Sequence, residues 1–439
     1  MVHLVTQLGK YLVIILMLIY TFLGFMIFRY AEKKRDKIYN EMYGIMISIH
    51  FVMYLILYLD TQNVKMIMIY GAQLIILVVA NLLYQWIYPN LNKLVLQHMC
   101  MLLVIGFIFI ARLSINSAIR QTAFAGVSLL ACIVVPIIIE KFRAMRKLSW
   151  LFGVIGIGML LAVKVFGVNK YGATNWIVIG PVQLQPSEFV KILFVLAIAG
   201  LLAKKTEFKH VVVVSILAAL HVLVLVVAKD LGGALIFFVT YLTVLTVATS
   251  QKWYFFAGLG AGSAAAMLAY KLFAHVRVRV VAWQDPWSDI PNKGYQIVQS
   301  LFAIGTGSWL GLGLTQGLPN TVPVASTDFI FSAITEEQGA VFSICVILIS
   351  MSCFIMFINI AMKLKNQYYK LIALGLSVMY AFQVFLNIGG VTKLIPSTGV
   401  TLPLVSYGGT SIVSTIVMFS IIQGLYILNQ NGDSYVRKR

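Results

Sequence analysis

Residues 11–37 read YLVIILMLIYTFLGFMIF followed by RYAEKKRDK, an uncharged apolar run stopped by a basic cluster. The run, 11–28, is long enough for a helix to cross the hydrocarbon core of a bilayer. It is too long for the core of a signal peptide and ends in Arg29 and a charged stretch rather than a small-residue cleavage site, so it reads as a retained membrane span. The same pattern recurs outward along the chain at 43–59, 65–84, 94–111, 121–139, 148–167, 188–203, 211–228, 231–249, 254–273, 338–361, 370–388 and 410–428, giving thirteen expected spans. At about 20 residues each they would take roughly 260 residues of the 439.

Composition agrees. Hydrophobic residues make up 61% and charged residues 11%, against about 25% charged in soluble domains, which excludes a water-soluble enzyme. The net charge of +19 is spread over short connectors, as membrane topology and anionic headgroups require, and no nucleic-acid partner is expected. Basic residues collect at Arg29–Lys37, Lys141–Lys147, Lys204–Lys209, Lys363–Lys370 and the tail Arg437, Lys438, Arg439. These connectors are expected in the cytoplasm, with the C-terminus inside and, for an odd number of spans, the N-terminus outside. Segments 168–187, 274–337 and 389–409 then face outward. The fold expected is an all-α polytopic membrane protein. It divides into a three-span extension (1–93, ending near Tyr88-Pro89-Asn90), a ten-span core (94–430) and a short basic tail (431–439).

Cys100, Cys132, Cys345 and Cys353 lie in apolar runs, and the six histidines are scattered, so neither a disulfide framework nor a His/Cys metal site is expected. The run Gly305-x-Gly307-x-x-x-Gly311-x-Gly313 lacks the strand and the Lys-Ser/Thr of a phosphate loop. No nucleotide, haem or flavin site is expected. The Gly- and Pro-rich segment 274–337 is expected to be loop and short helices folded back over the outer mouth of the bundle, where protein or an aqueous cavity satisfies its backbone.

Only 14 residues are Asp or Glu, and acids at membrane depth are costly enough to mark either function or a partner charge. Glu188 and Lys191, at i and i+3 behind Pro186, share a helical face and suit a structural pair at a cavity floor. Asp230, in KDLGG, suits a helix cap or a site at the outer lip. Asp289, in WSDIPNKGYQ, suits a carboxylate held over a cavity or a solvated loop residue. Asp328, Glu336 and Glu337 suit a cation, a pair with Arg277 or Arg279, or headgroups. Trp176 suits an interfacial aromatic.

Five strings taken in order, QPSEFVK (185–191), KDLGG (229–233), GYQIVQSLFAIGTGSWLGLG (294–313), TDFIFSAITEEQG (327–339) and PSTGVTLPLVSYGGTS (396–411), resemble the SEDS family of membrane glycosyltransferases, the FtsW and RodA type. The resemblance covers about 94–430. It implies a polymerase of lipid II at the outer membrane face. In such an enzyme a GlcNAc 4-hydroxyl attacks the anomeric carbon of MurNAc with inversion, undecaprenyl pyrophosphate leaves, and a class B penicillin-binding protein is the partner. It implies Asp289 as the base, Glu188 and Lys191 as the embedded pair, Asp230 as a cavity acid, and Arg120 with Gln121 at the opening of the second core span. Arg277, Arg279, Lys393, Tyr295, Gln296, Ser397 and Ser406 are further candidates for substrate contacts. A divalent cation, Mg²⁺ or Mn²⁺, on the pyrophosphate would have Asp289, Asp328 or Glu336 as ligands. The chain departs from the family at Ile290–Lys293, which intervenes before Gly294, at Asn175, where Arg is usual, and in its three added spans. A lipid II flippase and a non-catalytic scaffold for a transpeptidase are the rival readings.

Overall fold

The structure is a computed structural model describing residues 2–30, 32–170, 173–180 and 182–437. The extension comprises α1 (Val2–Met26), α2 (Glu32–Thr61) and α3 (Val64–Ile87). The core opens with α4 (Lys93–Leu113), α5 (Ile115–Ala131), α6 (Val134–Lys141) and α7 (Ser149–Phe166). It continues through α8 (Pro186–Leu202), α9 (Phe208–Val227), α10 (Leu231–Thr249), α11 (Lys252–Leu272), α12 (Ala274–Gln284) and α13 (Tyr295–Gly307). It closes with α14 (Ile330–Lys363), α15 (Gln367–Val391) and α16 (Gly409–Arg437). Starts are fixed locally: Asn63, Asn92, Ser114, Asp230 and Asn366 each accept a backbone N–H of the first turn.

Among the described residues, 12 helical stretches are long and apolar enough to cross a membrane, one fewer than expected. The difference is α8. At 17 residues, about 25 Å, it stands at the short end of the range for a membrane span. All of α8 except Phe189 and Leu193 is buried, so it meets protein and not lipid. The α4 window is likewise entirely enclosed, whereas α11 has no buried residue and lies at the periphery. Helices α8, α10, α15 and α16 pack mutually around this centre, and the extension attaches through α1 on α14, α2 on α4 and α3 on α5.

Three features depart from the expected architecture. The window 121–139 is broken at Cys132–Ile133, which places Pro136 in the first turn of α6, where its missing N–H costs nothing. Segment 168–184 forms a small antiparallel sheet, β1 (Val168–Lys170), β2 (Ala173–Ile179) and β3 (Val182–Leu184), in that order, with Trp176 opposite Val168. The span expected at 338–361 starts at Ile330 instead, so Glu336 and Glu337 stand inside a helix and not ahead of one. That helix is interrupted at Gly339, whose φ of 83° suits glycine. The re-entrant loop 308–313 takes up the freed backbone groups. Leu312 and Gly313 donate to the carbonyls of Glu336 and Glu337 at 3.0 and 2.8 Å, while Ala340 and Val341 donate to Ser308 and Trp309 at 2.9 and 3.1 Å. The basic tail is no separate unit as far as Arg437, because α16 runs through it; Lys438 and Arg439 lie outside the described residues.

Candidate active site

The site is built where α8, α10, α15 and α16 meet beneath α12. Pro186 starts α8, which sets Glu188 and Lys191 one turn apart on its inner face. Lys191 Nζ donates to Glu188 Oε1 at 2.7 Å and to Gln383 Oε1 at 2.9 Å, and Ser414 Oγ donates to Glu188 Oε2 at 2.8 Å. The pair is buried, and with these two extra partners it meets the condition under which buried charges are tolerated. Glu188 and Lys191 thus form an ion pair that ties α8 to both α15 and α16.

Segment 396–408 threads across this floor without helix or strand and turns at 402–406. Gln383 Nε2 donates to Thr401 O at 3.1 Å; Asn387 Nδ2 donates to Val400 O at 2.7 Å and to Asp328 O at 2.8 Å. Gln121 Nε2 donates to Ser406 O and its Oε1 accepts from Gly408 N. The glycine of KDLGG is explained here: a Cβ on Gly232 would run into Val400 and Thr398. Sequence reasoning missed Gln383 and Asn387, although amides four residues apart inside an apolar window are a readable signal of a polar helix face.

Above the floor, the half-buried Asp230, Arg279 and Asp328 interact electrostatically, with no ion pair between them among the described residues. Asp230 caps α10, accepting from Gly233 N at 2.8 Å, and it also interacts electrostatically with Lys191 and Arg279. Arg279 projects from α12, with Nη1 donating to Ser397 O at 3.3 Å. Burial pushes Asp230 above the usual carboxylate range, opposed by Gly233 N–H and Lys191. Burial pushes Asp328 up to about 6, opposed by Arg279 and by the Thr327 hydroxyl. It also lowers Arg279, opposed by Asp328 and Asp230.

The other candidates fall elsewhere. Asp289 is half-buried in the loop between α12 and α13; its Oδ1 accepts from Asn292 Nδ2 at 2.9 Å and its carbonyl from Gly294 N at 3.0 Å. Among the described residues it forms no ion pair. Asn292, part of the departure at 290–293, thus orients the carboxylate, and Gly294 is required because a Cβ there would meet Pro286 O. Tyr295 and Gln296 are exposed at the start of α13. Lys393, at φ 60°, presents its carbonyl to Trp283 Nε1 at 3.1 Å, which pins α12 over the 389–409 segment. Ser406 is buried with its hydroxyl committed to Thr327 O and Leu402 N, which leaves it a structural role. Arg120 is exposed on α5, and Arg277 is exposed with Nη2 on Lys271 O. Both stand apart from the cluster.

Glu337 pairs with neither Arg277 nor Arg279. Its Oε1 accepts from Arg112 Nε at 2.9 Å and from Thr315 N at 3.2 Å, while Glu336 Oε1 accepts from Leu318 N at 2.9 Å. These acids hold the re-entrant loop on the interrupted helix. Arg112 was the missed partner: it closes α4, far away in sequence, and nothing in the spacing pairs it with 337. Asp289, Asp328 and Glu336 therefore occupy three separate places, and among the described residues no three His, Cys, Asp or Glu gather as a metal cage.

Residues 92–430 match the FtsW/RodA/SpoVE family, described as cell cycle protein. The chain is 34% identical over 363 residues to the peptidoglycan glycosyltransferase RodA of Mycobacterium tuberculosis, covering 76% of this chain and 77% of the relative. It is 31% identical over 345 residues to a probable peptidoglycan glycosyltransferase FtsW of Pseudoalteromonas translucida, covering 74% and 86%. Its fold resembles a chain solved in a peptidoglycan synthase complex that coordinates polymerization and crosslinking (TM-score 0.67, 24% identity, 78% and 98% of the two chains). It also resembles the rod shape determining protein RodA of Thermus thermophilus (TM-score 0.57, 22% identity, 76% and 96%).

Proposed function

Because the chain belongs to the FtsW/RodA/SpoVE family, we infer that it is a multi-pass membrane peptidoglycan glycosyltransferase that polymerises lipid II into glycan strands. The observation that carries this reading, beyond membership, is Arg279 set beside Asp230 and Asp328 under an outer helix, directly above the Lys191 pair. A departing diphosphate needs positive charge at reduced dielectric, and Arg279 and Lys191 are the cations held there.

In the reaction, the 4-hydroxyl oxygen of an acceptor GlcNAc attacks the anomeric carbon of a donor MurNAc from the face opposite the diphosphate. The C–O bond to undecaprenyl pyrophosphate breaks, and the hydroxyl proton passes to a carboxylate. Asp289 is our candidate for that carboxylate, since its loop carries it above α13 and Asn292 orients it. A carboxylate is a weak base toward a sugar hydroxyl, so positioning and charge stabilisation supply most of the rate. Two acids flanking an arginine make no cage for a resident ion. A divalent cation would instead arrive on the substrate phosphates, with Asp230 and Asp328 as the nearest carboxylates, and would neutralise the leaving group. A class B penicillin-binding protein is the proposed partner, and the cytoplasmic membrane with the C-terminus inside is the proposed setting.

The test is reconstitution with lipid-linked disaccharide, followed by sizing of the glycan. Wild type should yield polymer, and Asp289→Asn should fold but lose activity by at least about a hundredfold, the usual size of a lost general base. Movement of labelled lipid between leaflets with no glycan growth would favour the flippase reading instead.

A further inference from the structure

We propose that the cavity between the extension and the core, at the end of the bundle bearing Arg35, Lys93 and Lys363, binds a phosphate-bearing anion. The cavity has a volume of about 590 Å³, within the range of small-molecule sites. Its walls come from segments far apart in sequence: the α1–α2 turn, the α3–α4 connector, the end of α14 and the end of α16. Three cations line it against one carboxylate, Asp36.

Among the described residues, one of those cations has a carboxylate partner. Lys93 Nζ pairs with Asp36 Oδ1 at 2.7 Å. Arg35 donates through Nε to Tyr30 O at 2.8 Å, which fixes the plane of its guanidinium, and among the described residues it has no carboxylate within ion-pair distance. The same holds for Lys363 in the last turn of α14. Two uncompensated cations, one of them a fixed planar fork, facing a half-enclosed space with the amide of Asn359 in its wall, suit phosphate oxygens. Arg35 and Asp36 belong to the part of the chain outside the family match, so the site comes with the extension. The anion is either the headgroup of an anionic phospholipid in the adjoining leaflet or a soluble phosphate.

The experiment uses the purified full-length chain. In one arm it is placed in phosphatidylcholine nanodiscs containing increasing phosphatidylglycerol. In the other, inorganic phosphate is titrated in detergent. Thermal midpoint and native mass spectrometry of retained lipid are read in both. Arg35→Gln/Lys363→Gln should bind about thirtyfold more weakly, from two lost cations, while Lys204→Gln/Lys205→Gln should match wild type. Binding confined to the nanodisc arm identifies a headgroup, and binding in the phosphate arm identifies a soluble anion; either supports the proposal. Equal behaviour of Arg35→Gln/Lys363→Gln and wild type in both arms overturns it, as does an equal loss in the Lys204/Lys205 variant. Should the double variant misfold, Lys363→Gln alone, at an exposed side chain, should lose about fivefold, and no loss overturns the proposal.

Discussion

At the scale of single residues, Asp328 shows how burial and charge compete. Its pKa is lifted from 3.8 to about 6 by burial despite Arg279 nearby. A carboxyl with a folded-state value above its unfolded one holds its proton more tightly when folded, so its contribution is full below about 3.8 and is lost as pH rises through about 6. The gap corresponds to roughly 3 kcal/mol. Thermal unfolding of the purified protein between pH 4 and 7 should therefore include a progressive destabilisation that begins near pH 4 and levels off above about pH 6. Asp328→Asn, fixed in the neutral state, should lack it; an identical profile in that variant would remove Asp328 as its origin.

At the scale of elements, the interrupted α14 and its re-entrant loop form one unit, and the extension grips that unit. Lys10 on α1 is buried, and its Nζ donates to Gly311 O at 3.1 Å; Gln7 Nε2 donates to Leu312 O at 3.3 Å. Gly311, at φ 73°, packs so closely on the Gly339 break that a Cβ on it would overlap Glu337 O. Lys10→Met removes a charge-assisted bond to a buried carbonyl, a loss of about 1.5–3 kcal/mol. The predicted outcome is faster hydrogen exchange confined to 308–318, with the remainder of the core unchanged. Exchange that rises uniformly over the chain would mean that α1 does not act on this loop.

At the scale of the whole molecule, orientation follows from where basic connectors lie, and it is open to direct measurement. The four native cysteines are buried, so a single introduced thiol reports alone. Lys293→Cys, in the loop after α12, should react with a membrane-impermeant maleimide on intact cells, and Lys37→Cys only after permeabilisation. The reverse pattern would invert the topology and place the Asp230–Arg279–Asp328 cluster on the wrong side for a lipid II polymerase.

The membrane class, the order of the spans and the local pairs were legible in sequence, because each depends on neighbours: runs of apolar side chains, Pro186 ahead of an i, i+3 pair, Asp230 ahead of two glycines. Even there, hydropathy gave no sign that the short span α8 is enclosed by protein, since it registers apolarity and not what surrounds a helix. Tertiary structure alone decided that Glu337 takes Arg112, that Ser406 is spent on backbone, that Gln383 and Asn387 hold segment 396–408, and that α14 begins nine residues before its break. These are contacts between residues tens to hundreds of positions apart. A buried polar group accepts whichever partner the packing delivers, and that delivery is set by the arrangement of helices, on which the spacing of residues along one chain is silent.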